Sequence, residues 1–230
     1  MLQQRARTVL VSAWLALAAT AASGCSKTQT APSDTTAANA PPEPSLPAND
    51  APPHNFKILG RDDAPVAIIE FTDMQCPYCA QFARETFPKL RAKYIDTGRV
   101  RFGSTDTPLE MHPYAVPAAV AARCAGEQGH YWDYRDRVFQ IQNELGNSPY
   151  SSLAAQLGLD LQRFEACRID GRQFQAVQQD KARATAAGID STPTFVIGHV
   201  VNGQFEGEKL VGIQPIDVFA QKIDALLAHH

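Results

Sequence analysis

Cys76 and Cys79, separated by Pro77 and Tyr78, have the spacing of a reversible redox pair. Two thiols one helical turn apart can close into a small disulfide and reopen. A helix N-terminus stabilises a thiolate on the first of them. Cys76 is then the sulfur that attacks or is attacked, and Cys79 the thiol that resolves the mixed disulfide. Pro77 lacks an N–H and fits the first helical turn. Tyr78 cannot carry positive charge, which predicts a pair less oxidising than the extreme cases. A Cys-x-x-Cys is also half of a zinc site. The domain's other cysteines, Cys124 and Cys167, lie 43 residues apart and do not form a second such half. A purely structural Cys76–Cys79 bridge would close too small a loop to constrain the unfolded chain much.

Two more places could serve that chemistry. Glu70 stands upstream of Cys76 in the otherwise apolar run Val66-Ala67-Ile68-Ile69-Glu70-Phe71. A carboxylate in a buried strand is costly and needs a reason. One reason is proton exchange with Cys79 through a raised carboxyl pKa. The other reading is that alternation points Glu70 to solvent on a sheet edge; the pattern leaves both open. Thr192-Pro193 opens a later apolar run, where proline is either a strand start or a cis turn.

The elements that position these residues follow from periodicity. Residues 66–71 read as an interior strand. Phe82, Phe87, Leu90 and Tyr94 mark one face of a helix over about 76–95, which Pro88 should kink. Arg99–Gly103 is a second strand. From about 112 to 188 the pattern is helical. Strands return at Thr194–Gly198 and Lys209–Gly212, with Asn202-Gly203 a hairpin-turn signal between them. Ile216, Phe219, Ile223 and Leu226 give a last amphipathic helix. The order predicts an α/β sheet interrupted by a helical block.

Length and composition bound the rest. The chain has 230 residues and a net charge of −3. A mildly acidic protein gives no support to nucleic-acid binding. Residues 1–24 read as an export signal: Arg5 and Arg7, then a mostly apolar stretch of about 15 residues, short of the roughly 20 that a membrane span needs. Removing them takes the net charge from −3 to −5. Ala22-Ser23-Gly24-Cys25 resembles a bacterial lipoprotein box, with Cys25 the lipid-bearing residue. Ala22 replaces the usual large aliphatic residue, and cleavage after Ala21 is the alternative. Parity favours the first: acylating Cys25 leaves four of the five cysteines, enough for two pairs. Residues 25–55, rich in Pro, Ala and Thr, read as a disordered tether.

The segment from Glu70 to Cys79 resembles the DsbA-like branch of the thioredoxin-fold thiol:disulfide oxidoreductases. His112-Pro113-Tyr114-Ala115, Ala121-Ala122-Arg123-Cys124-Ala125, Gly129-His130-Tyr131-Trp132 and Gly188-Ile189-Asp190-Ser191-Thr192-Pro193-Thr194-Phe195 extend the match in order. The resemblance implies a thioredoxin-like fold over residues 56–228, with an inserted helical subdomain at about 109–188. It implies catalytic roles for Cys76, Cys79, Glu70 and a cis Pro193. Thr192, Pro77 and Tyr78 would meet substrate, Cys124 and Cys167 would pair, and no cofactor or metal would be needed. Two free buried thiols are the alternative to that pair, disfavoured in oxidising surroundings. His112 has no assigned chemistry and reads as structural. Thr105-Asp106-Thr107-Pro108 departs from the family's Arg-Asp-aromatic-Pro run, and the lost Arg is expected to alter the surface by the helical cap.

The implied activity is thiol–disulfide exchange on cysteines of exported proteins, in the periplasm or cell envelope, with a membrane redox partner and an N-terminal lipid. A reductase or isomerase of the same fold is one rival. A peptide-binding or chaperone module without redox turnover is another.

Overall fold

The computed structural model describes residues 55–201 and 204–229. The expected export signal, Cys25, most of the expected tether and the expected Asn202-Gly203 turn lie outside them. In chain order the elements are β1 (Ile58–Leu59), β2 (Val66–Thr72), α1 (Pro77–Glu85), α2 (Phe87–Leu90) and a π-helical turn (Arg91–Ile95). Next come β3 (Val100–Asp106), α3 (Ala115–Gly126), α4 (Tyr131–Gln140) and a 3-10 turn (Gln142–Asn147). Then follow α5 (Tyr150–Gln156), α6 (Leu161–Ile169), α7 (Arg172–Ala186), β4 (Thr194–Val201), β5 (Gln204–Val211) and α8 (Ile216–Leu227). The fold is the expected thioredoxin-like α/β sheet, with a helical block between β3 and β4.

The five strands lie in the order β1-β3-β2-β4-β5. β2 runs parallel to β3 and antiparallel to β4, so it is central and bonded on both edges. That accounts for its apolar character on both faces, Glu70 and Thr72 apart. Val66 and Ile68 pack with Phe82, Phe87, Phe102, Phe195 and Phe219, joining the sheet to α1, α2 and α8. Ile69 and Phe71 face the opposite side, against Ala184 and Ile189. Alternation puts Glu70 on the face of Val66 and Ile68, beneath α1.

The helix read over about 76–95 is in fact broken. α1 ends at Glu85, and Thr86 adopts φ −104° and ψ −44° before α2 begins. Pro88 cannot donate to the carbonyl of Arg84, so the ladder fails just upstream of the proline rather than kinking around it. Beyond α2 the chain loosens into the π turn. The second strand extends to Asp106, three residues past its expected end.

The helical block has its own core. Alanines at 118, 119, 121, 122 and 125 let α3 approach Tyr131, Tyr134, Val138, Phe164 and Val177 closely. Met74, Cys76 and Cys79 belong to this cluster rather than to that of the sheet. Cys124 on α3 is bonded to Cys167 on α6. A buried charge cluster fastens the block to the sheet. Lys57 Nζ lies 2.7 Å from Asp106 and 2.8 Å from Asp180, and Arg123 Nε lies 2.6 Å from Asp106. Arg123 also pairs with Asp180. Asp106 thus pairs with both Lys57 and Arg123 in the interior.

Candidate active site

The turn from β2 into α1 is built by Asp73. Its Oδ1 accepts from the backbone N–H of Gln75 at 2.7 Å and of Cys76 at 3.1 Å. Its Oδ2 accepts from the N–H of Leu109 at 2.7 Å and meets His112 Nδ1 at 2.8 Å. Cys76 is the N-cap, in an extended conformation, and Pro77 opens α1. Gln142, beyond α4, donates its side-chain amide to the carbonyls of Met74 and Cys76, each at 3.0 Å. The turn is thus held from both sides by segments of the helical block.

Cys76 and Cys79 are both free thiols and both buried, whereas Tyr78 between them is 60% exposed. Cys76 Sγ lies 3.3 Å from the carbonyl oxygen of Thr192, whose peptide to Pro193 is cis. The Cys76 thiol is held down to about 6. The hydrogen bond from Cys79 is the main cause, assisted by Thr192 and the backbone N–H groups of Cys79 and Tyr78; burial works against it. Cys79 moves the other way, far up, through burial first, then the neighbouring Cys76 sulfur and the charge of Glu70. The opposite shifts distinguish two adjacent thiols: one ionises readily, while the other keeps its proton.

Glu70 is fully buried beneath this pair, so the solvent-facing reading does not hold. Its Oε2 accepts from Arg135 Nη2 at 2.8 Å, and both side chains are wholly buried. Among the described residues Oε1 has no hydrogen-bond partner. Burial raises the carboxyl pKa, and the Arg135 guanidinium opposes it. The guanidinium sits among aromatic rings, 5.1 Å from the centroid of Phe87, 5.2 Å from Trp132 and 4.9 Å from Phe139.

Of the residues singled out by sequence, Cys76, Cys79, Pro77, Tyr78, Thr192, Pro193 and Glu70 lie at one site. Cys124 and Cys167 are bonded within the block. Arg135, Asp73 and Gln142 had not been singled out. Arg135 carried a signal: it shares the helix face of Tyr131 and Val138, a charge where an apolar residue belongs. Asp73 carried another, since an Asp a few residues before a helix start commonly accepts from the backbone just ahead.

Comparison with known proteins gives a consistent set. A family model described as Thioredoxin matches residues 55–212. The crystal structure of Wolbachia pipientis alpha-DsbA1 superposes with a TM-score of 0.69 at 28% identity, covering 78% of this chain and 94% of that one. "Probable disulfide bond formation protein D" of Bacillus anthracis is 28% identical over 163 residues, covering 66% of this chain and 74% of that protein. "Na(+)/H(+) antiporter NhaA 3" of Salinispora tropica is 35% identical over 160 residues, or 69% of this chain. The chain spans only 24% of that antiporter's length.

Proposed function

This chain belongs to the thioredoxin family, in its DsbA-like branch, and we propose on that premise that it oxidises paired cysteines of exported proteins through Cys76 and Cys79. The observation that carries the reading is the juxtaposition of Cys76 Sγ, at the start of α1, with the Thr192 backbone. A substrate strand can lie against that backbone while one of its thiolates reaches Cys76.

In the oxidised protein a substrate thiolate attacks Cys76 Sγ, and the Cys76–Cys79 bond breaks. Cys79 departs into a buried site where a thiolate is disfavoured, so it takes up a proton. Glu70, with its raised pKa, is our candidate for exchanging that proton with Cys79. A second substrate thiolate then attacks the substrate sulfur bound to Cys76, and Cys76 leaves as a thiolate. The substrate gains a disulfide, and the protein holds the two electrons until a membrane partner removes them. Both steps use sulfur and protons only.

Trapping tests this order. A Cys79→Ser variant expressed in cells should accumulate mixed disulfides with envelope proteins, visible as reducible adducts on non-reducing gels. Cys76→Ser should form none. Equal adducts with Cys76→Ser, or none with either variant, would defeat the assignment.

The direction of electron flow follows from which redox form the fold favours. A thiol lowered from 9.0 to about 6 stabilises the reduced protein. That stabilisation is fully present above about pH 9 and disappears as pH falls through about 6. The urea midpoint of the reduced form should therefore rise relative to the oxidised form between pH 6 and 9. A potential near about −120 mV against glutathione marks the oxidant, and one near about −270 mV marks a reductase.

We assign the protein to the cell envelope, anchored through Cys25, on the strength of its N-terminal sequence. Among the described residues no helix is long and apolar enough to cross a membrane. Mass spectrometry of the membrane fraction decides it: an unmodified N-terminus at Ala22 removes the lipid.

A further inference from the structure

The Asp73 carboxylate is the only side chain described above that bonds both the Cys76 backbone and the segment leading into the helical block. Two of its four hydrogen bonds go to the turn that presents Cys76, and two to residues 109–112. Three of the four donors are backbone N–H groups. The fourth is the imidazole of His112, whose side chain is mostly buried. Against an ionised carboxylate, which only accepts, His112 Nδ1 must carry the hydrogen. The same segment is tied a second time, by Tyr114 N–H to Gln75 Oε1 at 2.7 Å.

The position of Cys76 Sγ depends on this turn. It lies 3.3 Å from Thr192 O, and the hydrogen bond from Cys79, first among the groups that favour its thiolate, comes from the helix that this turn opens. Oδ1 takes two donors from the turn and Oδ2 takes two from residues 109–112, so without His112 the Leu109 N–H alone would hold Oδ2. The second donor narrows the carboxylate's orientation, and with it that of the Cys76 N–H that it accepts.

We propose that His112, acting through Asp73, is a positioning residue for the Cys76 thiolate, and not merely a structural histidine. The inference rests on the reading of Cys76 as the attacking sulfur. His112 touches neither sulfur; it locks the carboxylate that locks the turn. The segment carrying it enters the helical block, so that block has a direct hold on nucleophile geometry.

The experiment follows alkylation of Cys76 by iodoacetamide in the reduced protein as a function of pH, with urea unfolding alongside. The wild-type rate should have its midpoint near pH 6; an ordinary thiol midpoint would sink the reading of Cys76 itself, whatever His112 does. With that midpoint in place, His112→Ala should move it up by about one unit, slowing alkylation at pH 6 about five-fold. Turnover should fall through kcat with KM little changed. His112→Asn, whose amide nitrogen sits close to the Nδ1 position, should restore most of the profile. Asp73→Asn should act in the same direction and more strongly, because its amide would face the Leu109 N–H donor to donor. An alkylation profile and kcat in His112→Ala identical to wild type, with only the urea midpoint lowered, would overturn the proposal. If His112→Ala does not fold, His112→Gln takes its place, moving the donor one bond outward, with the same expected shift and the same overturning result.

Discussion

Replacing Arg135 by methionine should destabilise the domain by about 3–5 kcal/mol at neutral pH, the range found when one partner of a buried ion pair is removed. Glu70 and Arg135 have no exposed side-chain surface, and the guanidinium is walled by Phe87, Trp132 and Phe139. Methionine can fill much of that space but leaves the Glu70 carboxylate with burial unopposed. Its pKa, already raised, then climbs further. A carboxyl raised in the folded state adds stability at low pH and loses it as pH rises through its folded value. The deficit of Arg135→Met should therefore shrink markedly between pH 8 and pH 5. The double variant Glu70→Gln with Arg135→Met removes both charges and should recover most of the loss. Urea unfolding of the two variants at both pH values checks each part. A single variant within about 1 kcal/mol of wild type would mean that Glu70 is not held as a dry charge.

The second large effect concerns Cys124 and Cys167. Their bond closes a loop with a sequence separation of 43 residues. In the loop-entropy model such a crosslink stabilises by about 4 kcal/mol, acting on the unfolded chain. The variant Cys124→Ala with Cys167→Ala should unfold that much more easily, with a small added term from the space left in the helical core. The site thiols are a separate pair, so the Cys76 alkylation profile should be preserved in whatever fraction stays folded. A loss below about 1 kcal/mol would show that the denatured chain is already constrained there.

Local features of this molecule were readable from its sequence. β2 announces itself by an apolar run interrupted only by Glu70, and Pro77 marks the helix that follows Cys76, because both signals lie within a few residues of what they describe. Glu70 was ambiguous for a physical reason. In a strand buried on both faces, alternation no longer separates inside from outside, so the carboxylate's burial is decided by α1 and α4 above it. Its partner Arg135 is 65 residues away in sequence. The same holds for Lys57, whose bond to Asp180 spans 123 positions. Pairing at such distance is fixed by how the helical block docks, which no local window contains. The break at Thr86 was misplaced because a proline acts on the carbonyl four residues before it.

The helical block adds neither sulfur, yet it supplies Arg135 to Glu70, Gln142 to the Cys76 carbonyl and His112 to Asp73. The sheet and α1 own the reacting atoms, while an insertion between two strands owns the dials. On the proposed function, changes confined to residues 109–188 should retune potential and proton supply with the Cys-Pro-Tyr-Cys sequence untouched. Exchanging such insertions between relatives on one shared core offers a route to thiol pairs of graded potential.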